Sequence, residues 1–219
     1  MYKLSIPIIG RHINDENRKQ YVDELKRAKA DRVFITASLD DDLDVMRAKV
    51  EYFKDNGFEV GIWIGNTIGH GATLYKLKET GEKPKYQRLV NLEGKDLIGT
   101  NCPMDKNFRE YLAGKIAGLT GCGTDLLMLD DDYRLSQHGG SPCCACPLHL
   151  EKISRYCGEE VTVEQLNKLV FSGKKNKYRE AWLKAQGESL EELAAAVREE
   201  VNKVNPNASV FACSAYYNG

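Results

Sequence analysis

Asp130, Asp131 and Asp132 stand side by side after the apolar run Leu126-Leu127-Met128-Leu129, and Tyr133 and Arg134 follow them. Three acids cannot be buried together without partners, because desolvation and mutual repulsion would shift their pKa values or unfold the site. The run therefore predicts a buried strand whose carboxyl end leaves the core at the acids. In a parallel α/β protein that end is where active sites are built. On a strand, Asp130 and Asp132 face one way and Asp131 the other. One carboxyl held protonated by its neighbours' charge can act as a general acid, and another as nucleophile or electrostatic stabiliser. Such a pair cleaves glycosidic bonds, with the groups about 5 Å apart in retaining enzymes and further apart in inverting ones. A rival chemistry uses Asp130, Asp132 and a histidine as ligands for Mg²⁺ or Mn²⁺ in a metal-dependent hydrolase or lyase. The plainest alternative is structural: the acids cap the following loop or pair with Arg134.

A second cluster follows at Cys143-Cys144-Ala145-Cys146-Pro147-Leu148-His149, with His138 before it and Cys157 after it. Zinc takes four thiolate or imidazole ligands in a tetrahedron. Cys144 and Cys146 can reach one ion, and Cys102, Cys143, Cys157 or a histidine would complete the set. Against this, C-x-C is tighter than the usual C-x₂-C. The alternative is a loop of reduced thiols packed as small hydrophobes. No base is committed to a cysteine, so a cysteine nucleophile is disfavoured.

The elements that must position these groups alternate between strand and helix. Lys3 to Ile9 reads as a first strand and Val33 to Ala37 as a second. Phe58 to Ile64 reads as a third, Thr124 to Leu129 as a fourth and Ser209 to Ala215 as a fifth. Asn14 is expected to cap a helix running to about Ala30. Asp40 to Asp42 open another, whose Leu43, Met46, Val50 and Phe53 keep helical period, and Asn56-Gly57 ends it. Asp105 to about Thr120 is a third. Helical segments follow around 147–157, 162–171 and 176–186, and a last helix from Ser189 to Val204 opens on the capping box Ser189-Leu190-Glu191-Glu192. Residues 65 to 101 form a long Gly- and Lys-rich excursion, of the kind that is usually functional or mobile.

Five βα-type strands in one direction predict a parallel sheet. Two α/β architectures fit: a (β/α) barrel of TIM type, complete or cut short after the fifth strand, and an open doubly wound sheet. Ile8-Ile9-Gly10-Arg11-His12 has one glycine and no phosphate-binding fingerprint, so the barrel is preferred. Residues 1–219 then form one barrel-type domain. An unpaired fifth strand would be an edge that invites association, so an oligomer is one expectation.

Composition narrows the partners. The 219 residues carry a net charge of −1, so no bulk field recruits nucleic acid or an anionic membrane. No stretch is long and apolar enough to span a bilayer, and Met1 to Gly10 lacks the character of a signal peptide. Seven cysteines without that leader point to reduced thiols or metal in a cytoplasmic protein rather than to a disulfide framework.

Leu129-Asp130-Asp131-Asp132-Tyr133-Arg134, then Cys144-x-Cys146-Pro147-Leu148-His149-Leu150, resembles the catalytic barrel of glycoside-hydrolase-like proteins distantly related to β-galactosidases. Asn101-Cys102-Pro103, with Asp105 and Phe108-Arg109-Glu110-Tyr111, resembles the segment before the helix that leads into their fourth strand. The resemblance implies a TIM barrel, a carbohydrate substrate and cleavage of glycosidic bonds; the acid/base role is not carried over from it and is placed on Asp131 or Asp132 from their position at the strand end. Some barrels of this kind carry a cysteine zinc cluster, which supports a structural zinc at Cys144 and Cys146; no cofactor is otherwise required. The familiar relatives end this strand with Asn-Glu, whereas here the tip is all Asp. Substrate contacts are expected at the other strand ends: Arg11 and His12, Ser38 and Asp40, Trp63 and Asn66 with His70 nearby, Arg134, and Tyr216 and Tyr217 beside Asn218. Aromatic faces and amides there suit a sugar. A non-catalytic, sugar-binding partial barrel is the remaining alternative.

Overall fold

The structure, a computed structural model, describes residues 2–70, 83–136 and 142–213. Five strands form one parallel sheet: β1 (Ser5–Ile8), β2 (Arg32–Ala37), β3 (Glu59–Ile64), β4 (Leu126–Leu129) and β5 (Ser209–Ala212). Their order in space is β1-β2-β3-β4-β5, the same as in sequence. A doubly wound sheet reverses its order at a switch point, whereas a barrel adds each strand beside the last. The monotonic order therefore makes this a parallel α/β sheet of TIM-barrel type.

The chain divides into two compact units, one of residues 1–67, 112–133 and 197–219 and the other of 68–111 and 134–196. The first unit holds the sheet. Strand register sorts its side chains into two faces. Ile8, Ile35 and Ile62 align with Leu127, and Ala37, Ile64 and Leu129 form the next row. Val33, Ile35, Ile62, Ile64 and Leu127 are wholly buried. Full burial of one such side chain stabilises the fold by ~1.5–3 kcal/mol. On the opposite face, Phe34 aligns with Gly61 and Leu126, and Thr36 with Trp63, Met128 and Phe211. The Phe34 and Phe211 rings meet edge to face at 5.8 Å although β3 and β4 lie between their strands. The Phe34 ring covers Gly61, where even a Cβ would lie 2.3 Å from it.

Helix α1 (Arg18–Arg27) starts later than the sequence suggests. Asn14 and Asn17 bond each other's backbone in a turn before it: Asn14 Oδ1 accepts from the Asn17 N–H, and Asn17 Oδ1 from the Asn14 N–H. The turn consumes the cap that Asn14 was expected to supply. Helix α2 (Leu43–Asp55) is capped by Asp42, which accepts from the Asp44 and Val45 N–H groups. Gly57, at φ +93°, ends it as expected. Met46, Val50 and Phe53 are its buried stripe, whereas Leu43 at the first turn is exposed. Helix α3 (Lys106–Thr120) is capped by Asp105, whose Oδ1 accepts from the Asn107 and Phe108 N–H groups.

The second unit is built on α4 (Pro147–Cys157), α5 (Val163–Leu169) and much of α6 (Lys177–Val204). Its core gathers Leu92, Ala145, Ile153, Val161, Leu166, Val170, Trp182 and Ala185. A capping box is present at Thr162 and Gln165. The one expected at Ser189 is absent: residues 177–204 form one uninterrupted helix, and Ser189 lies inside it, fully buried. Its hydroxyl donates to the Gln186 carbonyl at 2.8 Å instead of capping an N–H. The two expected helical segments are therefore one, because the buried positions Trp182, Gln186, Ser189, Leu193 and Val197 carry one stripe through the junction.

Candidate functional site

In the first unit, the carboxyl ends of the strands collect the residues singled out for substrate. The backbone N–H of Asp130 donates to the Ile64 carbonyl, continuing the β3–β4 ladder by one residue before the chain turns. Asp130 then caps that turn, its Oδ1 accepting from the Asp131 N–H at 2.8 Å. Asp130 and Asp131 are half-buried, while Asp132 is wholly buried. Asp132 Oδ1 accepts from the Thr67 hydroxyl at 2.6 Å, and Thr67 is itself 1% exposed. The three acids thus have different environments: two at the rim and one inside. Gly65, after β3, leaves room beside Asp130, whose Oδ2 would lie 4.0 Å from a Cβ there.

Arg11 and His12 are exposed on a short 3-10 turn, Gly10–His12, after β1. That turn is pinned close to β2: the Gly10 N–H donates to Thr36 Oγ1, and a Cβ on Gly10 would sit 2.2 Å from the Thr36 carbonyl oxygen. Ser38 is half-buried and Asp40 exposed after β2. Trp63 is half-buried on β3, on the face it shares with Thr36, Met128 and Phe211. Asn66 follows, exposed, at φ +58°. A left-handed asparagine at a strand end is a locally strained conformation of the kind that gathers at functional sites. Thr67 is the residue the sequence reading missed here, since nothing local marks it as the partner of an acid sixty-five residues on.

Of the other expected contacts, Arg134 is half-buried and His70 buried, both in the second unit. Tyr216, Tyr217 and Asn218 lie outside the described residues, as does His138.

The second unit contains a separate cluster. Cys102, Cys144, Cys146 and His149 are all buried, and their ligand atoms lie within 4.8 Å of one another. Cys102 Sγ is 3.5 Å from Cys146 Sγ, and His149 Nδ1 is 3.3 Å from Cys102 Sγ and 3.4 Å from Cys146 Sγ. A tetrahedral zinc with ordinary bond lengths has S···S edges of about 3.8 Å and S···N edges of about 3.6 Å. The three edges among Cys102, Cys146 and His149 are within a few tenths of an ångström of that size, and Cys144 Sγ lies within 4.8 Å of each of the three. Local sequence explains it: Cys146 is the residue before α4, Pro147 starts the helix, and His149 lies in its first turn. Cys146 and His149 are thus three apart on one side of a helix start, with the two-residue gap that Cys144 and Cys146 lack. Cys102 arrives from the turn before Asp105, its N–H donating to the Gln87 carbonyl.

Electrostatics set these thiols apart. Hydrogen bonds from Cys102 and Cys144, with His149 beside it, hold Cys146 well below the ordinary thiol range. Burial and the neighbouring sulfurs push Cys144 up. In Cys102 the hydrogen bond with Cys144 works downward but is outweighed by the bond to Cys146, burial and Cys146's charge. The cluster alone accommodates one negative charge easily and resists more. A divalent cation is what would let all three sulfurs be thiolates. Two N–H groups, of Val90 and of Cys146, already point at Cys144 Sγ, each at 3.4 Å. The residues present therefore fit zinc. Cys143 is buried outside the cage, its thiol pushed up to about 12 by burial. Cys157 is half-buried near the Lys177 carbonyl.

No protein-family model matches this chain, and no curated protein matches it in sequence. Among solved structures it is similar to a β-galactosidase from the psychrophilic Marinomonas ef1, with a TM-score of 0.65 at 9% identity over 96% of this chain. It is similar at lower TM-score, 0.47, to an α-galactosidase from Thermus thermophilus, at 13% identity over 98% of this chain. The chain spans 37% of the first protein's length and 39% of the second's. The likeness to the first is one of fold, a glycoside-hydrolase-like barrel, and agrees with the strand order. No helix among the described residues is long and apolar enough to cross a membrane.

Proposed function

We propose that this chain is a carbohydrate-processing, glycoside-hydrolase-like barrel unit whose β4 carboxylates act on a glycosidic bond. The observation that carries the reading is the set of acids at the carboxyl end of β4 in a parallel sheet of this fold. Asp130 and Asp131, at the rim, are the candidates to touch the sugar. Asp131 is assigned the proton transfer, and Asp130, which already caps the turn, the electrostatic support. Asp132, enclosed and bonded by Thr67, is a positioning group rather than the acid itself; this revises the sequence-based assignment, which allowed it the acid/base role. Arg11, His12, Trp63 and Asn66 stand at neighbouring strand ends as substrate contacts. The test is hydrolysis of a panel of nitrophenyl glycosides by the wild type and by Asp131→Asn. The reading requires turnover that needs no added Mg²⁺ and collapses in the variant.

We also propose that Cys102, Cys144, Cys146 and His149 hold one structural zinc. Four protein ligands leave no open position for catalysis. The ion's contribution is to tie the segment around 102 to the start of α4. Elemental analysis of the purified protein tests this, with one equivalent of zinc expected.

A further inference from the structure

We infer that three side chains of α6, Trp182, Gln186 and Ser189, form the outer shell of the Cys102–Cys144–Cys146–His149 cage, and that Ser189 dictates which nitrogen of His149 is available to a metal. The inference rests on the zinc reading above, but its geometry is independent of it.

The three residues follow one another at spacings of four and three, so they share one face of the helix. That face is otherwise apolar, with Ala181, Ala185, Leu193 and Val197 buried on it. Gln186 and Ser189 are 8% and 0% exposed, an expensive place for an amide and a hydroxyl unless both are bonded. Each is, and every bond leads to a cage residue or to the other. Gln186 Oε1 accepts from the Cys144 N–H at 3.0 Å, and its Nε2 donates to the Cys144 carbonyl at 3.2 Å. Trp182 Nε1 donates to the same carbonyl at 3.3 Å. Both backbone groups of Cys144 are therefore held by side chains of one helix. This fixes the direction in which its sulfur enters the cage.

Ser189 acts on the histidine. It has one hydroxyl hydrogen, and the short contact, 2.8 Å, is to the Gln186 carbonyl, which can only accept. Toward His149 Nε2, at 3.3 Å, the hydroxyl oxygen is left as an acceptor. Nε2 must then carry the ring hydrogen. In a neutral imidazole the other nitrogen, Nδ1, presents a bare lone pair, and Nδ1 is the atom facing Cys102 and Cys146. A metal-bound histidine commonly donates its second N–H to an outer partner that fixes ring and tautomer, and losing such a partner typically weakens metal binding about 10–100-fold. Ser189 has this relation to His149, and it explains why a serine interrupts the apolar stripe of a helix interior.

The experiment measures metal affinity, with Co²⁺ as spectroscopic probe and Zn²⁺ in competition with a chromophoric chelator. Wild-type protein is compared with Ser189→Ala, Ser189→Thr and Gln186→Ala. The wild type should take one Co²⁺ with the visible bands of a tetrahedral thiolate site. Ser189→Ala and Gln186→Ala should bind Zn²⁺ about 10–100-fold more weakly, and Ser189→Thr, which keeps the hydroxyl, should recover most of the loss. A wild type that takes neither ion overturns the zinc reading itself. A wild type that binds one equivalent, with alanine variants that bind as tightly but melt lower, overturns this inference and leaves the zinc reading standing. Should the alanine variants not fold, ¹⁵N resonances of the zinc-loaded wild type decide: Nε2 protonated and Nδ1 metal-bound is required, and the reverse refutes the assignment.

Discussion

Cys102 Sγ and His149 Nδ1 lie 3.3 Å apart in the second unit although forty-seven residues separate them in sequence. With Cys144 and Cys146 they make a closed set of four metal-type donors, the arrangement on which the zinc proposal rests. Small hydrophobes in a core need not aim their sulfurs at one point.

On the proposed zinc reading, removing the metal should cost stability. A ligand held at a hundred times its dissociation constant contributes about 2.7 kcal/mol to the folded state. For a protein of this size that corresponds to a fall in melting temperature of roughly 5–10 °C. Calorimetry before and after chelation checks it, and His149→Ala should melt like the stripped protein and gain nothing from added zinc.

How much of this was readable in the sequence depends on the range of the interaction. The five strands, the helix opened by Asp40 to Asp42 and the Gly57 stop follow from local pattern and appear where expected. Cys144 and Cys146 were identifiable by type, and Cys102 and a histidine as candidates to complete the set. The choice among those candidates was not readable, because it is made where distant segments fold together. The local signal that would have helped was Cys146-x₂-His149, with Pro147 marking a helix start that turns both toward one point. Ser189 misled in an instructive way. Ser-x-x-Glu is a capping pattern only at a helix end, and the apolar stripe running through Trp182 and Leu193 shows that no end is there.

The buried acid gives a stability prediction separate from catalysis. Thr67→Val removes the hydroxyl that donates to Asp132, and leaving a buried polar partner short of a bond costs about 1–3 kcal/mol. Denaturant unfolding should show that loss, with a matching shift of the midpoint and an unchanged slope.

Gly10 should tolerate no side chain. An alanine Cβ would meet the Thr36 carbonyl oxygen at 2.2 Å, and a backbone atom cannot rotate away. Gly10→Ala should destabilise by about 1–3 kcal/mol, as overpacking does. It should also weaken carbohydrate binding, because the displaced turn carries Arg11 and His12. Thermal unfolding and a sugar titration measure the two effects.

Acid should loosen the amino edge of the sheet through Glu59. Arg32 and Lys3 both donate to its carboxylate, and those bonds hold its pKa below the ordinary 4.5. A lowered pKa means stability that is present above about pH 4.5 and lost as the pH falls through the folded-state value. Glu59→Gln should be less stable than wild type at pH 7 and converge with it on acidification, as followed by unfolding at a series of pH values.

The most direct test of the proposed function is the rate of glycoside cleavage by wild type and Asp131→Asn on the same nitrophenyl glycoside, with no added Mg²⁺. Measurable turnover is expected in the wild type, with a loss of about 10²–10⁴-fold in the variant at nearly unchanged melting temperature. Equal rates in the two proteins, or a wild type that binds sugar without cleaving it, would refute the assignment of glycosidic cleavage to the β4 carboxylates.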